Sequence, residues 1–289
     1  MTDENDTEGP RRAGQQIDVV TAPLAAAGWN ESFRRIAAEL QTFARAVQIL
    51  YESVKPGLDA IASVILQVAT VLPDLIATLP PNVRELGGDM NLGRILELAR
   101  AEGLQFAYVP PAPVIKKVLL ASGPSARRLV IRNNKRSILR ACERELALVE
   151  SPELSEHVAF AQRAASALRA GHRDASQALS ANLMDTVLAD RFGPLKRFLT
   201  NQNSRPDLDE FSVRAAITLS GIWSVHGQYF PSKGDRVPRV YSRHGSVHGV
   251  SQRQFTEVNA TLALMHVVAL LRLIDSQPDV AKSSPGQAW

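Results

Sequence analysis

Apolar positions recur at helical spacing along almost the whole chain. Phe33, Ile36, Leu40, Phe43, Val47, Leu50 and Val54 follow one another at steps of 3, 4, 3, 4, 3 and 4. That is an a/d seam over three heptads in a helix from Glu31 to Val54, packing on this chain's own core or on a partner helix. Pro56-Gly57 stops it, and a second apolar helix follows over Leu58–Val71. Pro80-Pro81 and Gly87-Gly88 break the chain before a short helix over Leu92–Glu102. Pro110, Pro111 and Pro113 make a stiff connection, and Pro113 stands at the start of another short helix ending at Gly123. Pro124 opens a long helix over Ser125–Val149, stopped by Ser151-Pro152.

Beyond Pro152 the helices become longer and richer in alanine: Glu153–Ala170, Arg173–Arg191 and Leu208–Tyr229, punctuated by Gly171 and Gly193-Pro194. Phe230–Tyr241 reads as a loop. The last helix runs from Ser251 to Asp275, with Ser251 and Gln254 at capping-box spacing. Phe106–Val109 is the one short extended piece. The pattern predicts an all-α protein. A disordered acidic tail (1–16) and a helical N-terminal region (17–150) precede a bundle at 151–276, and a flexible tail (277–289) follows.

Composition narrows the setting. The chain has 289 residues, is 45% hydrophobic and 21% charged, and so has enough apolar material for a sizeable core. Its net charge is +4, and arginine supplies 26 of the 33 basic residues. The planar guanidinium suits phosphate and carboxylate, which leans toward anionic partners. Cys142 is the only cysteine, so no intrachain disulfide or cysteine-rich zinc motif exists. A reducing cytoplasm is the expected location. The start is acidic and polar rather than a secretory signal. The nearest approach to a membrane span, Leu58–Leu79, is interrupted by Asp59, Gln67, Pro73 and Asp74, so no span is expected.

Candidate chemistry concentrates in Tyr241-Ser242-Arg243-His244-Gly245-Ser246-Val247-His248-Gly249. Arginine holds phosphate bidentately, and histidine exchanges protons near neutrality. Together they handle phosphate chemistry without a metal or other cofactor. Arg239-x4-His244 overlaps Arg243-x4-His248 in the loop. His244 and His248 stand one helical turn apart, but no acidic residue beside them completes a metal site.

The segment Arg243-x4-His248, at the entrance to a late helix, resembles the HEPN superfamily of all-helical nucleotide-binding bundles. The resemblance covers residues 152–276 in architecture and only the short motif in residue terms. It implies a metal-independent endoribonuclease. His248 would be the general base on a ribose 2′-hydroxyl, and Arg243 would neutralise charge at phosphorus. It further implies RNA as partner, a homodimer that brings two Arg–His pairs together, and an antitoxin or other regulatory protein; the expected dimer contact is through the C-terminal bundle, burying the apolar face of the last helix. The implied setting is a toxin, abortive-infection or antiviral effector. The alternative is a non-catalytic helical interaction or RNA-binding module.

Other residues carry weaker signals. Arg128, Arg132, Arg136, Arg140 and Arg144 recur every four residues in one predicted helix, a row of about 24 Å that follows a phosphate backbone or faces solvent. Asn182 and Asp185 lie in an apolar stretch, and the reading for them is a bundle-centre site or hydrogen-bond network supporting the motif. His266 reads as a satisfied buried histidine, and Cys142 as a buried thiol. No P-loop, dinucleotide fingerprint or nucleophile elbow is present.

Overall fold

The most apolar long helix among the described residues, Glu257–Ser276, becomes the axis on which they are assembled. In the computed structural model, which describes residues 77–201 and 212–281, this helix has a mean hydropathy of 1.6 and 89% of its apolar window is buried. A helix apolar on every side belongs in a core or a membrane. Here helices of this chain surround it.

Those helices are α1 (Pro81–Arg84), α2 (Leu92–Glu102), α3 (Ala112–Leu120), α4 (Pro124–Asn133), α5 (Lys135–Ala147), α6 (Ser155–Arg169), α7 (Arg173–Phe192), α8 (Leu195–Thr200), α9 (Val213–Val225), α10 (Arg243–Val247) and the axial α11 (Glu257–Ser276). No strand occurs among the described residues, so the all-α expectation holds there. The helices expected over Glu31–Val54 and Leu58–Val71, the tail 1–16 and most of the tail 277–289 lie outside the described residues, as does the expected start of α9 at 208.

Helix α11 packs on α7, α5, α6, α9 and α4. α6 and α7 form a hairpin, turned at Gly171 in the left-handed region (φ 89°). α9 lies on α2, which ends at left-handed Gly103. A Cβ on Gly103 would stand 2.7 Å from Val225 Cγ1, so the contact needs glycine.

Leu79 to Ile274 contribute to a single hydrophobic core. The expected boundary near 151 is a turn inside that core. The backbone N–H groups of Glu150 and Ser151 donate to Asp275 Oδ1 at the end of α11 (3.0 and 2.9 Å). Tyr108 and Ser276 hydroxyls meet at 2.6 Å.

Three local expectations are corrected. The helix expected over Ser125–Val149 is interrupted at Asn134, whose Nδ2 donates to Val130 O (2.7 Å), dividing it into α4 and α5. Phe106–Val109 is buried irregular chain rather than a strand. Side chains satisfy its polar groups in place of a ladder: Asn82 Nδ2 donates to Phe106 O and Pro110 O, and Gln105 Oε1 accepts from the N–H groups of Phe106 and Ala107. The Ser251/Gln254 capping box does not form. Ser251 starts a turn, and α11 begins six residues later under Thr256, whose hydroxyl accepts from Asn259 N (3.2 Å).

Candidate functional site

Ser242 starts the motif turn. Its hydroxyl accepts from Gly245 N (3.1 Å), and its carbonyl accepts from Ser246 N and Oγ (3.0 and 2.7 Å). The segment is therefore one turn of helix, α10, with His248 at its C-cap and bonded through its N–H to His244 O (3.0 Å).

A buried polar frame holds α10 from behind. Gln254, fully buried, donates through Nε2 to Pro238 O and Val240 O (3.1 and 3.0 Å) and accepts at Oε1 from Ser242 N (3.3 Å). Gln177 of α7 donates to Ser246 Oγ (2.8 Å) and to Gln254 O (3.2 Å). Asn259 Nδ2 donates to Gln254 O (2.6 Å) and Arg239 O (3.2 Å). A Cβ on Gly245 would lie 3.3 Å from Gln254 Nε2, so α10 sits almost directly on the frame. Gln177 and Asn259 escaped sequence reading, and Gln254 was read only as a helix cap. The only available sign was amide side chains flanking a run of apolar residues.

Arg243 turns inward. Its guanidinium meets Asp185 Oδ2 at 2.8 Å, and the same carboxylate meets Lys196 Nζ at 3.1 Å. The Arg243 side chain is only 16% exposed, and its Nε is buried without a hydrogen-bond partner. His226, the C-cap of α9, is buried next to this group. Burial holds its ring at about 4, well below the usual imidazole range, and the positive charge of Arg243 pushes the same way. His226 Nδ1 bonds to Ile222 O (2.7 Å), while its Nε2 has no partner. Burial also raises the Tyr241 hydroxyl, with Arg243 acting against it. Two positive groups around one carboxylate leave a surplus of one positive charge under α10.

His248 faces the other way and is exposed. Its ring lies 4.6 Å from that of His244, as side chains one turn apart should. His244 Nδ1 lies against the Tyr229 backbone, 3.0 Å from its carbonyl oxygen and 3.4 Å from its N–H. Phe230 meets the His244 ring edge-on at 5.7 Å.

Of the expected supporting residues, Asp185 joins the site through Arg243, and His244 lies beside His248. Asn182 does not join: it is exposed and bonds one turn back to Ala178 O (2.9 Å). The arginine row also divides. Arg128 is half-buried, and its guanidinium donates to Asn259 Oδ1 (2.9 Å) and Arg239 O (3.3 Å), clamping α4 to the loop before α10. Arg132, Arg136, Arg140 and Arg144 are exposed. Cys142 is buried, and burial with Glu143 and Glu145 nearby raises its thiol, the reverse of an activated thiolate. His266 bonds Gly103 O through Nε2 (3.0 Å) and Gln105 Nε2 through Nδ1 (3.3 Å), a satisfied core histidine. A dimer contact through the apolar face of the last helix is not available, because that face is buried within the protomer. Among the described residues no three His, Cys, Asp or Glu side chains cluster to hold a metal. No family model, curated protein or solved structure matches the chain.

Proposed function

We propose that the chain is a metal-independent endoribonuclease of the HEPN kind. One observation carries this reading. Arg243 and His248 occupy the two ends of one framed helical turn, with the arginine in a net-positive cluster and the histidine open to solvent. In the proposed reaction His248 takes the proton of a ribose 2′-hydroxyl. The 2′ oxygen attacks phosphorus and the 5′ oxygen leaves with a proton supplied by solvent water, giving a 2′,3′-cyclic phosphate. The positive surplus around Arg243 offsets charge on the phosphoryl oxygens.

The implied setting is a cytoplasmic toxin or abortive-infection effector restrained by an antitoxin or regulatory protein. A homodimer would supply the second Arg–His pair, and the second copy would have to meet a surface other than α11. Sedimentation at micromolar concentration reads this directly, and a monomer alone removes the composite site. The decisive test is the purified full chain with end-labelled RNA, read for cyclic-phosphate ends with and without chelator. Cleavage that resists chelator and falls in His248→Ala supports the reading. Absence of cleavage by the unsubstituted chain overturns it.

A second reading is favoured by the divergence of the two side chains, Arg243 turned inward onto Asp185 and His248 open to solvent: a helical interaction module in which Arg243 only anchors α10 to α7. Under it, Arg243→Ala lowers stability and changes nothing in RNA.

A further inference from the structure

Helices α4 and α5 carry seven cations (Arg127, Arg128, Arg132, Lys135, Arg136, Arg140, Arg144) and two carboxylates, Glu143 and Glu145. The structure shows how these charges are matched. Glu143 pairs with Arg169 of α6, and Glu145 pairs with Arg272 of α11 (3.0 Å). Arg127 is taken by Glu102, Lys135 by Glu257, and Arg128 by Asn259 and Arg239 O. Both acidic groups on these helices are thus neutralised from other helices. Arg132, Arg136, Arg140 and Arg144 are left exposed, and none has an ion pair among the described residues.

We infer that these four arginines are a phosphate track along which an RNA strand reaches the Arg243–His248 turn, an inference that rests on the ribonuclease reading. Within α5, Arg136, Arg140 and Arg144 step about 6 Å along the helix axis, so each can meet a separate phosphate of an extended strand, and Arg132 precedes them on α4, before the break at Asn134. The track leads to the turn by a physical connection. Arg128, one turn before Arg132, donates to the carbonyl of Arg239, and the exposed Arg239 precedes Arg243 by four residues. Lys233, Arg236 and Arg253 add exposed positive charge in the segment around α10, where Asp235 is the only acid between 230 and 253.

The partner is a polynucleotide rather than an acidic protein because of what the exposed face lacks. Protein interfaces are anchored by buried aromatic and aliphatic side chains at their centre. Between Arg132 and Arg144 the exposed positions are Arg132, Asn133, Arg136, Arg140 and Arg144, and the exposed apolar side chains of these helices, Leu129 and Leu148, stand outside the row at its two ends. No aromatic residue interleaves with the arginines, so the contact is to backbone phosphates and is indifferent to base sequence.

The test is fluorescence anisotropy of a labelled single-stranded RNA with the full chain across a KCl series. His248→Ala is present throughout so that the probe survives. Adding Arg132→Gln, Arg136→Gln and Arg140→Gln together should weaken binding and make the log–log salt slope shallower by about 2, three contacts at about 0.7 each. Arg84→Gln, Arg163→Gln and Arg173→Gln together remove the same net charge elsewhere and should leave the slope unchanged. Equal slopes for the two triple variants overturn the inference, as does a parent chain that binds no RNA. Preferential binding of poly-glutamate through the same arginines overturns it in favour of an acidic protein. Cleavage is scored separately. If it depends on His248 while the slopes are equal, only the track fails. If it ignores His248 while the slopes differ, only the ribonuclease reading fails.

Discussion

His248 and Arg243 belong to one short motif, yet the fold treats them differently, and substitutions should separate them. His248 is exposed at the end of α10, so His248→Ala should cut cleavage by roughly 10²–10⁴-fold with no change in melting temperature. Arg243 is held against Asp185 with little solvent access. Arg243→Ala leaves that carboxylate to Lys196 alone and should cost about 1–3 kcal/mol of stability besides activity. Arg243→Lys should recover part of both. Thermal melts beside cleavage assays distinguish the two positions, and equal melting temperatures for both alanine variants would show that the ion pair contributes nothing. The buried histidines add a pH dependence. His226 and His266 titrate at about 4 in the fold, through burial, against about 6.5 when unfolded. Below pH 6.5 the unfolded chain binds more protons, so stability is full above that value and falls as pH drops toward 4. The slope is up to about 1.4 kcal/mol per pH unit for each ring. Urea midpoints at pH 7 and pH 5 check the sign, and replacing either histidine with a neutral side chain should flatten the difference.

Among the elements, α10 is too short to hold itself together, and Gln254 supplies what its length does not. Gln254→Ala strips the partners from Pro238 O, Val240 O and Ser242 N at once. Each buried group left unpaired costs about 1–3 kcal/mol. The expected result is loosening of residues 238–248 with loss of cleavage, although neither Arg243 nor His248 is touched. Limited proteolysis should then cut near Arg239 and Arg243 in the variant and not in the parent. The α2–α9–α11 junction is as tight. A Cβ on Gly221 would lie 2.9 Å from both His266 Cε1 and Leu104 O. Gly221→Ala should therefore destabilise by about 1–3 kcal/mol, despite alanine's better helix propensity. A more stable Gly221→Ala protein would show that this junction yields.

For the whole molecule, one core crosses residue 151, with α4 and α5 covering α11 from one side and α6, α7 and α9 covering the rest. Removing residues 1–151 should bare the α4- and α5-facing side of the apolar helix α11. The remainder should aggregate or bind a hydrophobic dye rather than fold as a separate bundle. Full-length protein should melt without a separate transition for 152–281. A soluble, cooperatively folding 152–289 fragment would contradict the single core.

Helix type and the limits of several helices in the described region were legible in the chain, because apolar spacing and Gly/Pro breaks are local properties of consecutive residues, whereas the short α1, α8 and α10 and the true start of α11 were not. Leu92–Glu102 appears with the limits its pattern predicts, and Arg173–Arg191 gains one residue at its end. The Arg243–His248 spacing was legible for the same reason. What the spacing does not contain is direction and partnership. An ion pair between Arg243 and Asp185, 58 positions apart, has no local signature. Nor does the division of a regular arginine row into one structural clamp, Arg128, and four solvent-facing cations, because that depends on which carboxylates arrive from α6 and α11. Gln254 read as a helix cap since a cap needs only neighbours three residues away. Burial beside Gln177 and Asn259 made it the support of α10 instead, a role set by long-range packing that only the assembled bundle decides.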